Sequence, residues 1–480
     1  MQRVEHDLTG PRWVPDADFR IERHVLRETL APARPRPRRT RGAAASVSAP
    51  GAAAPVSAPG AAASALAPGT AVPASGPGAA AAEQAALQQR LAELAVTPLD
   101  PAHPLWQFHL VEHYQGGSAL LARIHHCIAD GIALIAVMQS LVDGGQPPAA
   151  RPVQPASSPD AAPAHPASPH PASAAAPSAA GLLGWLDQAL QALPGRPAAA
   201  ASAAHGAAAG SGPGLPASRP LAAELGRLAL QASRDAAALA LMDDDSPTRL
   251  KGQPGRHKRV AWCEPIPLDE VKAVGRALRC SVNDVLLSCV AGALGGYLRA
   301  RGDRIDGHEI RAMVPVNLRP LSQAHQLGNR FGLAPVVLPI GLQHPLERLY
   351  AVRQRMGELK GSLQPLLAFG LLAVAGLLVK PAQDALLGLF SRKTTAVMTN
   401  VPGPPRKLRL CGATLEQSLF WVPQSGTVGL GVSILSYGGG VQFGIISDAG
   451  LCPDPQAIID RFEPEFSSLS VLTLMLPWGD

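Results

Sequence analysis

Two tracts rich in Ala, Pro, Gly and Ser, about 42–82 and about 146–220, separate the parts of this chain that can build a core from those that cannot. Gly and Pro number 47 and 48 among 480 residues, and they concentrate in these tracts. Such composition buries too little apolar surface to offset the entropy of ordering the backbone. Both tracts are therefore expected to be disordered insertions, the first with a near-repeat, "VSAPGAAA", at Val47 and again at Val56. One stretch inside the second, 181–193, places Leu182, Trp185, Leu186, Leu190 and Leu193 at helical spacing. The chain then divides into an N-terminal domain (1–144, with its insert at 42–82), a linker with a crossover helix (145–256, the helix at 221–242) and a C-terminal domain (257–480).

Composition narrows the setting. Six cysteines are scattered without a CxxC pair, which fits reduced thiols in a cytoplasmic protein. The first thirty residues carry no apolar signal core. The longest apolar run, 366–379, is shorter than the roughly 20 residues a spanning helix needs. It is read either as a buried helix or as an element resting on a lipid surface. A soluble chain is expected, with peripheral contact to membrane or lipid inclusions as an open alternative. The net charge of +6 is modest. The basic cluster at 34–41, "RPRPRRTR", is read as a solvated arm or a contact for anionic headgroups. No aromatics interleave with it, which argues against nucleic acid.

Between the tracts the pattern is α/β. Residues 84–96 read as a helix, "TPLDPAHPLW" as a turn, "SALLARIH" as a strand, and 132–141 as a helix. Downstream, 271–278 is helical, and Ser281 opens a long helix to about Arg301, closed by Gly302. "EIRAMVPVNLR" and "AVMTNVPGP" read as strands, and "VGLGVSILSYGGGVQFGIISD" as a hairpin turning at 438–440. Mixed strands and helices in two halves imply two α/β layers with a cleft between them.

The chemistry concentrates in "HHCIADG", His125 to Gly131, where a strand gives way to a helix. Imidazole suits a base that takes a proton from a hydroxyl near neutral pH. Asp130 is expected to orient the turn and Gly131 to permit an unusual backbone angle. Three other readings stay open: a satisfied core histidine pair, a metal held by His126 and Asp130, and Cys127 as a nucleophile or a buried structural thiol. No GxSxG elbow is present.

The motif and its flanks resemble the bacterial wax ester synthase/acyl-CoA:diacylglycerol acyltransferase family, within the chloramphenicol-acetyltransferase-like superfamily that shares HHxxxDG. The resemblance rests also on "PLDPAHPLWQFHLVE", "SVNDVLLSCVAGAL", "MVPVNLRP", "LGNRFG", "TNVPGPPRKLRLCGA" and "ILSYGGGVQFGIISD". It implies a two-domain fold with mixed sheets and an interdomain tunnel, acyl-CoA entering from one side and the acceptor alcohol from the other. It implies an O-acyltransferase that esterifies diacylglycerol or long-chain alcohols, with acyl-CoA as co-substrate and no cofactor or metal. His126 becomes the base, His125 its partner and Asp130 the residue holding the loop. Two other outcomes stay open: a condensation-like acyltransferase, and a non-catalytic lipid-binding remnant of the fold. The family pattern also has a leading strand and a Pro-Met-His-Val-like stretch before the Pro-x-Trp region. Here "PRWVPDADF" starts at Pro11, so the chain is expected to lack that segment.

The remaining candidates are weighed residue by residue. Ser281 and Asp284 have capping-box spacing. Asn283, in the first turn of the same helix, is a candidate to face an oxyanion or the thioester. Pro104, Leu105 and Trp106 are read as packing residues. Asn329, Arg330, Asn400 and Gly403 are read as turn formers near the cleft.

Overall fold

The computed structural model describes residues 1–7, 10–30, 77–128, 131–145, 234, 242–317, 331–360, 367–368, 388, 391–422, 424 and 426–475. Asp130, Asn329, Arg330, the basic cluster at 34–41 and the helix read at 181–193 lie outside them. So does almost all of the 221–242 helix and of the 366–379 run. The described chain forms two compact units: Met1–Leu91 with Leu99–Arg123, and Ala92–Pro98 with Ile124–Asp480.

In the first unit β1 (Gln2–Asp7) and β2 (Gly10–Pro15) form an antiparallel hairpin. A second sheet has the order β3 (Val25–Thr29), β4 (Trp106–Tyr114), β5 (Gly117–Ile124), with β3 parallel to β4. The turn between β4 and β5 is Gln115–Gly116, both at positive φ, the conformation that suits a tight hairpin. Helix α1 (Pro77–Val96) starts inside the stretch read as tether, which corrects that boundary. Four alanines follow Pro77 and Gly78; Ala is the strongest helix former, and Pro is well placed at the first helical position.

A charged cluster ties this unit together. Arg90 of α1 grips Glu28 of β3 with two hydrogen bonds, Nε to Oε2 at 2.7 Å and Nη2 to Oε1 at 2.5 Å. His109 of β4, almost fully buried, places Nδ1 2.7 Å from the same Oε1. The Arg90 hydrogen bonds lead in lowering the Glu28 pKa to about 2, against an ordinary value of 4.5. A depressed carboxylate stabilises the fold above its unfolded pKa and loses that contribution as pH falls through the folded one. Urea unfolding followed from about pH 4.5 down to about 2 should therefore weaken steeply in the wild type. In Glu28→Gln the neutral-pH stability should already be low and this acid limb flattened. An unchanged limb would assign it to other carboxylates.

The second unit is built on a mixed seven-stranded sheet. Its order is β6 (Lys258–Trp262), β14 (Gly440–Asp448), β13 (Leu430–Tyr437), β10 (Ala396–Pro402), β8 (Ile310–Asn317), β9 (Phe331–Leu338), with β7 (Ile266–Pro267) also against β14. The pairs β10–β13 and β10–β8 are parallel; the others are antiparallel. β13 and β14 are buried along nearly their whole length, as befits the middle of a covered sheet. Helices α2 (Gly131–Ser140), α3 (Leu268–Ala277), α4 (Val282–Ala300), α5 (Pro345–Lys360) and α6 (Gln456–Leu474) belong to the same unit.

Helix α4 is the core element, with fourteen buried positions. Ser281 caps it as expected. Ser281 Oγ accepts from the Asp284 N–H at 3.2 Å, and Asp284 Oδ2 accepts from the Ser281 N–H at 2.8 Å. Asp takes the place of the usual Glu in this reciprocal box. On the neighbouring face Arg348 of α5 is buried, its guanidinium bonded to the carbonyls of Ser288, Leu342 and Gln343 and paired with Glu465 of α6. A Cβ at Gly292 would lie 2.6 Å from Arg348 Nη2, so the missing side chain makes room for that ion pair. Among the described residues no single helix is long and apolar enough to cross a membrane.

Candidate active site

The HHCIADG segment leaves β5 after Ile124, turns, and enters α2 at Gly131. The turn closes on itself: the Ile128 N–H donates to the His125 carbonyl at 3.0 Å, and the Cys127 N–H donates to His125 Nδ1 at 3.2 Å. His125 thus has one ring nitrogen committed to the loop while its side chain is exposed; His126 is half-buried. This division of labour fits a structural role for the first histidine. Cys127 is exposed, which corrects the expectation of a buried thiol. Desolvation by neighbouring groups still raises its pKa, opposite to what a thiolate nucleophile needs. Gly131 is a second correction. It adopts no left-handed angle, and a Cβ there would meet nothing within 4 Å, because the residue is already helical.

What holds α2 is found at its far side and far end. Ile135 packs on a small cluster made by Val401 of β10 with Leu435 and Tyr437 of β13, joined by Leu408, Leu415 and Phe420. Beyond the helix, the Asp143 carboxylate accepts backbone N–H bonds from Cys411 and Gly412, both at 2.8 Å. The Asp143 N–H donates in turn to the Arg409 carbonyl at 2.7 Å. Cys411 and Gly412 form the positive-φ turn between two short strands, β11 (Arg409–Leu410) and β12 (Ala413–Thr414). Tyr437 braces the same hairpin, its hydroxyl accepting from the Leu408 N–H and donating to the Leu415 carbonyl.

On the opposite face of β10 and β13, strand register builds a pocket. Asn400 pairs with Ile434 and Pro402 with Ser436 across β10 and β13; Ser436 pairs in turn with Val441 of β14. Paired residues share a sheet face, so these five side chains form one patch. The first turn of α4 (Val282, Asn283, Leu286) and Leu268 of α3 close it into a pocket of about 270 Å³. Its walls are mainly apolar. At one place the amides of Asn283 and Asn400 meet, Asn400 Nδ2 donating to Asn283 Oδ1 at 2.7 Å. The pair keeps Asn283's NH₂ and Asn400's carbonyl for other partners.

Asn283 and Asn400, read separately from the sequence, are therefore neighbours in space. Gly403 follows β10, and its N–H donates to the Ser436 carbonyl at 2.8 Å. A Cβ on Gly403 would fall 2.5 Å from that oxygen, so the position demands glycine for close approach. Pro104, Leu105 and Trp106 lie at the start of β4 in the first unit, where Trp106 packs on His24 and Phe108, in keeping with the packing role read from the sequence. Ser436 and Asp143 were not singled out from sequence. Ser436 carries a signal, since it follows Ile434 by two residues on a strand; Asp143 carries none, because its partners lie far along the chain.

Comparison with known proteins identifies the family. Residues 77–286 match the wax ester synthase/diacylglycerol acyltransferase catalytic domain, and residues 327–470 match the C-terminal domain of the same family. A probable diacylglycerol O-acyltransferase of Mycobacterium tuberculosis is 26% identical over 97% of this chain and 83% of its own length. A putative diacylglycerol O-acyltransferase of Mycobacterium bovis is 28% identical over 81% of this chain and 72% of its own. The solved wax ester synthase/diacylglycerol acyltransferase of Marinobacter aquaeolei has the same fold, with a TM-score of 0.57 at 20% identity, covering 99% of this chain and 86% of that one. With the catalytic domain matched across the long Ala/Pro-rich tract and the C-terminal domain of the same family matched after it, this chain belongs to the wax ester synthase/diacylglycerol acyltransferase family and is an acyltransferase.

Proposed function

We propose that the chain esterifies diacylglycerol, a long-chain alcohol or both from acyl-CoA, with His126 as the general base. The observation that carries this reading is the placement of His126. It sits half-buried on a closed turn between a strand and a helix, and that helix packs through Ile135 on Val401, Leu435 and Tyr437, on the face of β10 and β13 opposite to Asn400 and Ser436. A ring nitrogen of His126 takes the hydroxyl proton as the alcohol oxygen adds to the thioester carbonyl. The resulting oxyanion is met by the Asn283 amide N–H. Collapse restores the carbonyl, breaks the C–S bond and releases CoA thiolate, which regains the proton from the imidazolium. One ester and one free thiol result, and the thioester itself supplies the activation, so no cofactor or metal is required. The apolar walls of the pocket suit the first carbons of an acyl chain, and orientation there contributes much of the acceleration. Acceptors of this kind reside in bilayers or lipid inclusions, so peripheral contact with such a surface belongs to the same proposal.

The test is incubation of the purified chain with radiolabelled palmitoyl-CoA and either diacylglycerol or hexadecanol, resolved by thin-layer chromatography. Labelled triacylglycerol or wax ester is expected. Release of free fatty acid alone would replace the proposal with a thioesterase.

A further inference from the structure

The hydrogen bond between Asn400 and Asn283 has a direction, and that direction has a chemical result. An amide side chain offers one acceptor oxygen and one NH₂ group. Asn400 spends a donor on Asn283 Oδ1 at 2.7 Å, which occupies the oxygen of Asn283 and leaves its NH₂ to the pocket. With the bond reversed, Asn283 would show the pocket an oxygen, which repels a developing negative charge. The two residues are anchored independently. Asn283 stands in the first turn of α4, next to the Ser281–Asp284 capping box. Asn400 stands on β10, held in register by Ile434 of β13. Neither backbone depends on the amide contact, so the contact is free to serve orientation.

We infer that Asn400 is a positioning residue: by donating to Asn283 it fixes which end of the Asn283 amide faces the reacting carbonyl. The inference rests on the reading of Asn283 as an oxyanion donor. It adds Asn400 as the group that makes that donor available.

Asn400→Asp tests it almost without change of size. An ionised Asp can only accept, so it holds Asn283 by the NH₂ group and turns the Asn283 oxygen toward the pocket. Removal of one oxyanion donor costs about 10²–10³ in kcat in enzymes of comparable chemistry. Asn400→Asp in the full chain should lower kcat by about 10² or more and leave the KM for acyl-CoA and the melting temperature near wild type. Asn400→Ala, which removes the orienting bond without reversing it, should lower kcat by a smaller factor, about tenfold. Each change is then repeated in an Asn283→Ala background, where it should have no further effect on kcat. The Ala cycle alone decides the matter should the Asp variant not fold.

Three outcomes separate the possible failures. If Asn283→Ala keeps full kcat, the oxyanion reading falls and this inference with it. If Asn283→Ala is impaired but Asn400→Asp and Asn400→Ala are not, Asn283 keeps its role and Asn400 loses the one assigned here. Equal losses from the Asn400 changes in both backgrounds would overturn the inference too, because Asn400 would then act without Asn283.

Discussion

His126→Ala should lower turnover by about 10²–10⁴-fold, the usual worth of a positioned general base, with little change in thermal unfolding. The expectation of intact folding follows from where the residue sits. His126 is half-buried on a turn whose closing bonds run through the His125 ring and carbonyl, and α2 is fastened elsewhere by Ile135 and Asp143. His125→Ala should show the converse pattern: a smaller loss of turnover, with loosening of the loop because the Cys127 N–H loses its ring acceptor. Steady-state kinetics and melting curves on both variants decide this. Equal activity of His126→Ala and wild type would remove the base from the mechanism.

The largest effect on stability is expected at the ion pair between α5 and α6. Arg348 is 1% exposed and Glu465 about a quarter exposed, and the guanidinium also satisfies three carbonyls. Truncating one member of a buried pair leaves the other charge without its counterion, at a cost of about 3–5 kcal/mol. Glu465→Ala should fall near 3 kcal/mol, since its partial exposure lets water reach the guanidinium. The double variant Arg348→Met/Glu465→Leu should recover most of that loss, because an apolar pair of similar volume needs no counterion. Urea denaturation of the three proteins measures both quantities. A double variant as unstable as the single one would show that the carbonyl contacts of Arg348, rather than the pair, hold the helices.

Much of the candidate site region was legible in the chain itself. HHCIADG announced a strand-to-helix junction, Ser281 and Asp284 announced a helix start, and the turn at Gly438–Gly440 announced a hairpin. Each of these signals is local: capping, periodicity and turn chemistry act within a few residues. The pocket was not legible, because its floor comes from register. Asn400, Ile434, Ser436 and Val441 meet only when three strands align, two of them in parallel through a long connection. Other elements were hidden by composition. Helix α6 carries Pro464 in its interior, which breaks the pattern that marks a helix, yet the structure carries the helix through it. The start of α1 was hidden in the opposite way, since an alanine run reads equally well as tether and as helix.

The contact made by Asp143 bears on how this chain tolerates change. Its two oxygens are matched to two main-chain donors, so the contact is blind to which side chains occupy positions 411 and 412 and answers only to the shape of the turn. It also follows the last residue of α2 by three positions, so it fixes where the helix that leaves the histidine motif ends. Loss of one carboxylate oxygen at position 143 would leave one of the two turn N–H groups without that acceptor, whatever side chains the turn carries.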